Sequence, residues 1–179
     1  MTYSDPTHPS PEGEIIARSA AELFQNKKVD EYAIFVSTTI KGVRECDVLV
    51  TRLEQLGVPR SVLIVQPIAD TTDGEFEAFA KYAHEHSLED VAVLSIEAKK
   101  GRIELIAKRL KFFPAIYWAE DVLAISSNKN LQNLVAKWRK SIRHGMLRLR
   151  LGFAPMALMF IDPESKIQRS LAKLIRHQS

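Results

Sequence analysis

Two hydrophobic periods alternate along this chain. Four short apolar runs, Tyr32-Ala-Ile-Phe-Val36, Val62-Leu-Ile-Val65, Val91-Ala-Val-Leu94 and Ala115-Ile-Tyr-Trp118, have no polar interruption. That is the pattern of strands covered on both faces. Between them apolar residues recur at helical spacing: Ile15, Ile16, Ala20, Leu23 and Phe24; Val43, Cys46, Val50, Leu53 and Leu56; Phe76, Phe79, Ala80 and Ala83; Ile103, Ile106, Ala107 and Leu110. Ser10-Pro11-Glu12-Gly13-Glu14 reads as a helix start, with a capping hydroxyl, proline in the first turn and acids at the positive dipole end. Gly57 predicts a helix end because it enters the left-handed region cheaply, and Pro59 bars the helix from resuming. Pro67 forces an extended loop entry, and one of Asp70, Thr71, Thr72 or Asp73 is expected to cap the helix that follows.

Strands separated by helices imply parallel pairing through right-handed crossovers. The expected fold class is α/β: a three-layer open parallel sheet of about four strands, with a C-terminal helical extension. Residues 1–12 read as a flexible lead, 13–125 as the α/β domain and 126–179 as the basic extension. Val122 to Ile125 fits either an edge strand or a turn of helix. After Ser126–Asn130 the periodicity predicts a long helix to about Leu151, an apolar piece Pro155–Ile161, and a last helix over about Glu164–Arg176.

Charge changes this picture. From Lys137 to Ser179 there are ten Lys or Arg against two acids, a net +8, whereas the preceding 136 residues carry fifteen bases and twenty acids, a net −5. On a helical wheel Leu134, Trp138, Ile142 and Leu149 share one side, ringed by bases. Lys137, Arg139, Lys140, Arg143, Arg148 and Arg150 are therefore candidates for docking on an anionic membrane surface or nucleic acid. The competing reading is a helix packed on the body, its arginines paired with body acids. The single Cys46 excludes an internal disulfide and sits on a helical face as a small hydrophobe. The polar start, Met1 to Gly13, lacks a signal-peptide pattern, and no apolar run reaches the ~18 residues of a membrane span. The expected location is cytoplasmic, peripheral to the membrane if the basic part docks there.

The loops after the strands carry the candidate chemistry. Ser37, Thr38, Thr39, Asp70, Thr71, Thr72, Asp73, Ser95 and Glu97 would gather on the crest of a parallel sheet, with Lys99, Lys100 and Arg102 at a helix start. Hydroxyls, helix N-termini and cations suit a phosphorylated small molecule. Capping needs the same residue types, so a purely local role explains them equally. Asp70, Asp73, Glu97, Glu120 and Asp121 are oxygen donors, but no spacing among them is diagnostic of a metal, and none is assigned. His84 and His86 fall at a helix end and read as a surface pair.

The order of these features resembles the YdcF/SanA/ElyC-like family, a domain of unknown function associated with the bacterial envelope. Arg18 matches the family's early arginine, Ser37 the serine after the first shared strand, Glu45 the helix glutamate, and Leu56-Gly57-Val58-Pro59 the turn. Pro67 matches the loop entry, Thr72 the loop threonine, Ser95 the later serine and Arg102, with one residue inserted, the arginine. The match spans Ile15 to Trp118, and Pro155 to Arg176 is similar to the tail of some members. The resemblance implies a Rossmann-like open sheet. Taken with the polar crest, it points to a phosphorylated or nucleotide-like ligand held by Ser37, Thr38, Glu45, Asp70, Thr71, Thr72, Ser95, Lys99 and Arg102; the resemblance alone implies a role linked to envelope metabolism. The family's Gly-rich turn has no counterpart before Glu14. Its loop asparagine is Thr71, its loop glutamate falls on Gly74 with Glu75 one place later, and its histidine is Ala98 or Lys99. Catalysis and cofactor are therefore left open, and the alternative is a non-catalytic binding or scaffold protein acting through its basic part.

Overall fold

The computed structural model describes residues 8–36, 39–40, 42–141 and 144–146. Helix α1 (Pro11–Gln25) opens as its sequence dictates: the Ser10 hydroxyl accepts the Gly13 N–H at 3.1 Å, and Glu12 and Glu14 lie in the first turn. Strand β1 (Tyr32–Val36) follows. A short antiparallel hairpin comes next, β2 (Thr39–Ile40) with β3 (Val43–Arg44). Helix α2 (Glu45–Gln55) therefore starts two residues after the expected Val43. It ends at Leu56 and Gly57, the glycine standing at φ +88°, as its place before Val58-Pro59 requires.

Strand β4 (Leu63–Ala69) outlasts its apolar run and includes Pro67. Its ladder partner is β1 alone, so Pro67 lies on an edge strand, where a missing N–H is tolerated. Then come α3 (Thr72–Glu85), β5 (Ala92–Ser95), α4 (Lys100–Leu110), β6 (Ala115–Trp118), α5 (Ala119–Ala124) and α6 (Lys129–Arg139). The undecided segment Val122–Ile125 is thus helical through Ala124. The long helix expected to run to Leu151 stops at Arg139 because the Ser141 hydroxyl turns the chain. It donates to the Trp138 carbonyl at 2.7 Å and accepts the His144 N–H at 3.1 Å. Residues 144–146 are helical again, with the Ser141 oxygens accepting the His144 and Gly145 N–H groups, and residues 147–179, including the helix expected over Glu164–Arg176, lie outside the described residues.

The four principal strands form in two parallel pairs, not in one four-stranded sheet. Tyr32 stands opposite Leu63 in the β1–β4 pair, and Ala92 opposite Ala115 in the β5–β6 pair. No ladder joins β1 to β5 among the described residues. The β1–β4 pairing is itself irregular: between Ile34 and Val36 the register on β4 advances from Val65 to Ala69, so the extra residues, Pro67 among them, bulge from β4.

Helices join the pairs instead. Ile15 of α1 is buried with Ile96, Ala119 and Leu123 beside β5–β6, while Ala17, Ala20 and Ala21 of the same helix are buried with Leu53 and Leu63 beside β1–β4. On the opposite side α3 does the same. Its Phe79 ring meets Phe35 of β1 at 6.3 Å and Phe112, after α4, at 5.4 Å. Alternate strand residues serve the two sides, Ile34 and Leu94 packing with α1 and α2, Phe35 and Val93 with α3 and α4. Asp73 pairs with Arg102, Glu77 with Arg109 at 2.6 Å, and Phe79 with Phe112. These contacts advance together along α3 and α4, so the two helices run parallel and the strands that feed them point the same way.

The α1 joint makes a measurable prediction. Ile15 is 2% exposed, and Ile15→Ala is expected to cost roughly 2 to 5 kcal/mol in denaturant unfolding. The Ser19 hydroxyl, fully buried, has the Ile15 carbonyl at 2.7 Å and the Ala119 carbonyl at 2.9 Å as acceptors for its one proton. Ser19→Ala is expected to cost about 1 kcal/mol, because it deletes hydrogen bonds and leaves almost no void.

Candidate cleft at the strand ends

The space between β1 and β5 is an open cleft of about 2480 Å³, walled by Ala33–Val36 on one side and Ala92–Ser95 on the other. Small-molecule pockets hold roughly 300–1,000 Å³. The cleft exceeds that because most of it is the apolar gap between the two strand pairs. Its polar end, at the strands' C-terminal ends, is the part with ligand-like chemistry.

Seven of the nine residues expected to form the ligand site line this one cleft: Glu45, Asp70, Thr71, Thr72, Ser95, Lys99 and Arg102. Ser37 and Thr38 lie outside the described residues. Parallel strand direction explains the convergence. Asp70–Thr72 leave β4, Ser95 closes β5, and Lys99 and Arg102 open the next helix, so all are delivered to one edge.

Each side chain has a local assignment. Thr71 caps α3, its Oγ1 accepting the Gly74 N–H at 3.0 Å, which leaves its own O–H available to donate. Gly74 suits the close approach there: a Cβ would stand 3.2 Å from Thr71 Oγ1 and 3.3 Å from Ala69 Cβ, tight enough to press on the cap. Arg102 donates to Asp73, while its buried Nε–H has no hydrogen-bond partner. Ser95 is buried at 5% exposure.

Sequence reasoning did not select Glu75, which also lines the cleft. Burial is the main cause that pushes its carboxyl above the usual range. Glu45 and Asp73 push the same way, and Lys99 and Arg102 oppose them. A carboxyl held nearer its neutral form in a cleft can donate a hydrogen bond or a proton. The only sequence signal for it was its place one residue after Gly74, in the first turn of α3. Cys46 is fully buried with its thiol pushed up, chiefly by burial, so it behaves as the small hydrophobe its spacing predicts.

The basic candidates divide. Lys137, Arg139 and Lys140 lie at the exposed end of α6, and Arg143, Arg148 and Arg150 lie outside the described residues. Arg139 is engaged with the body, donating to Glu97 at 2.5 Å and Asp121 at 2.8 Å. Trp138, expected on an amphipathic face, is 6% exposed and packs with Leu131 and Val135 against α5 residues. Among the described residues no helix is long and apolar enough to cross a membrane.

The fold and cleft define a mixed α/β protein with parallel strands packed against helices. No family model, curated protein or solved structure matches the chain.

The raised Glu75 carboxyl fixes the sign of a pH effect. A folded-state value above the unfolded one adds stability below the unfolded value, and this is lost as pH rises through the folded value. Glu75→Gln is therefore expected to raise the melting temperature at neutral pH, with the gain shrinking as pH falls from the raised folded value towards the ordinary glutamate value and gone below it. Thermal unfolding of both proteins across pH checks this.

Proposed function

We propose that this chain binds a phosphorylated or nucleotide-like small molecule at the polar end of the cleft, as a divergent relative of the YdcF/SanA/ElyC-like group. In this reading the two strand pairs are halves of a Rossmann-like sheet in the order β4-β1-β5-β6, and the ligand sits where that order reverses, between β1 and β5. The observation that carries the reading is the convergence of Thr71, Thr72, Ser95, Lys99 and Arg102 on one edge of the cleft. An anion there meets the N-terminus of α3, the unpartnered Arg102 Nε–H and the Lys99 ammonium. Of the acids nearby, Asp73 pairs with Arg102 and burial shifts Glu75 towards its uncharged form, while Glu45 and Asp70 also line the cleft, so Lys99 and the α3 N-terminus carry most of the attraction.

Glu75 gives the site a proton donor, so group transfer to or from the phosphorylated ligand falls within its chemistry. The role in envelope metabolism follows from the family likeness alone. The alternative, docking on membrane or nucleic acid through the basic part, loses Arg139 to Glu97 and Asp121. It rests on Lys137, Lys140 and bases outside the described residues.

Isothermal titration of the full chain with nucleotides, sugar phosphates and inorganic phosphate tests the proposal. Binding by at least one of them is expected. Lys99→Ala or Arg102→Ala should weaken it ten- to a hundred-fold, the worth of a charge-assisted hydrogen bond of about 1.5 to 3 kcal/mol. Silence across the panel, or affinity unchanged in both variants, removes it.

A further inference from the structure

Outside the cleft, β5 and β6 deliver a second pair of side chains to the same edge. Ser95 stands opposite Trp118, and two residues beyond each come Glu97 and Glu120. The register carries on through a side chain: the Glu97 N–H donates to Glu120 Oε2 at 2.9 Å. Glu120 Oε1 accepts the Trp138 indole N–H, also at 2.9 Å. Ser141 turns the chain so that His144, 3% exposed, brings Nε2 to 3.8 Å from that same oxygen. That nitrogen is buried and has no hydrogen-bond partner among the described residues.

Glu120 poses the problem. It is fully buried, both its oxygens accept from neutral donors, and no Lys or Arg pairs with it among the described residues. Burying a carboxylate without a counter-charge costs several kcal/mol. An unpartnered imidazole nitrogen aimed at such a carboxylate, with a second carboxylate alongside, is a donor set short of one cation.

We propose that Glu97, Glu120 and His144 bind a single divalent first-row transition-metal ion. One donor atom from each residue lies within 4.8 Å of the other two. Ligands about 2.1 Å from a tetrahedral ion stand about 3.4 Å apart, so the three atoms must draw inward by about an ångström. Glu97, with a side chain 24% exposed, is the ligand free to do so. Two carboxylates and a neutral imidazole suit Zn²⁺ or Mn²⁺, and they bring the ion's charge to zero. Each carboxylate oxygen that accepts one hydrogen bond keeps a lone pair for the metal. The Trp138 indole on Glu120 and the Arg139 guanidinium on Glu97 act as the outer partners that aim the ligands.

The test uses the full chain, stripped with a chelator and titrated with Zn²⁺ and, separately, Mn²⁺, by calorimetry and tryptophan fluorescence. One equivalent of at least one ion should bind, with a change in emission because Trp138 lies 5.3 Å from the His144 ring, centroid to centroid. Losing a partner around the ligands weakens metal binding roughly ten- to a hundred-fold. Glu97→Gln and His144→Gln remove ligands, so each should cost at least a hundred-fold, while Trp138→Phe should fall within the ten- to hundred-fold range. Glu97→Gln changes only a partly exposed side chain and keeps the test informative if His144→Gln fails to fold. The double variant His84→Ala, His86→Ala should bind as the parent does. The proposal is overturned by the absence of saturable uptake of either ion, by uptake that survives Glu97→Gln, or by uptake lost with His84 and His86. In each of those outcomes His144 is a buried imidazole standing beside Glu120 and nothing more.

Discussion

Two strand pairs that share no ladder are held in one body by helix packing, and everything else in this protein depends on that joint. α1 and α3 act as bolts on opposite sides, each burying side chains against both pairs. Backbone hydrogen bonds would have fixed β1 and β5 roughly 4.8 Å apart. Side-chain volumes fix the spacing here instead, and the resulting gap is the cleft. The small residues of α1 suit this arrangement: Ala17, Ala20 and Ala21 let the helix lie close to α2 and β4, while Ile15 reaches across to α5. Packing of this kind is non-directional and tolerates small changes of angle better than a ladder does. The width of the cleft is therefore the softest dimension of the molecule.

Ion pairs then define the mouth. Glu14 ties α1 to α2 through Arg52 at 2.7 Å, Asp73 ties α3 to α4 through Arg102, and Arg139 ties α6 to Glu97 and Asp121. Pairs this exposed add little stability, typically under about 1 kcal/mol each. Their effect is positional, because each adds a directional contact between two elements that the core clusters already pack together. Glu14 shows the competition: burial alone would raise its carboxyl, yet hydrogen bonds from Arg52 and Arg18 outweigh it and hold the group below its usual range.

Local rules were legible in the chain wherever one residue type carries one physical meaning. Ser10-Pro11 opened α1, Gly57 closed α2, the four apolar runs became strands, and the polar loops after them met at one edge. Two kinds of information were not local. The split into strand pairs depends on how helix volumes fill the space between them, which periodicity does not show. The end of α6 hinges on one hydroxyl, Ser141, inside a pattern that otherwise reads as continuous helix. Arg139 illustrates a third limit. A basic run looks alike whether it faces solvent or a pair of acids more than fifteen residues away, and here it faces the acids.

The edge that gathers the cleft residues also gathers Glu97 and Glu120, and the chain keeps the two groups apart by a single 3₁₀ turn, Glu97–Lys99. Ser95 and Lys99 face the cleft, whereas Glu97 between them reaches Glu120 and Arg139 instead. An ion on Glu97 would therefore stand behind the cleft wall and not in it. Three protein donors leave the fourth tetrahedral position to a water reached from the Glu97 side, since Glu120 is fully buried and His144 nearly so. The ion's consequence for the cleft would be mechanical: fixing Glu97 fixes the turn that presents Lys99 at the mouth.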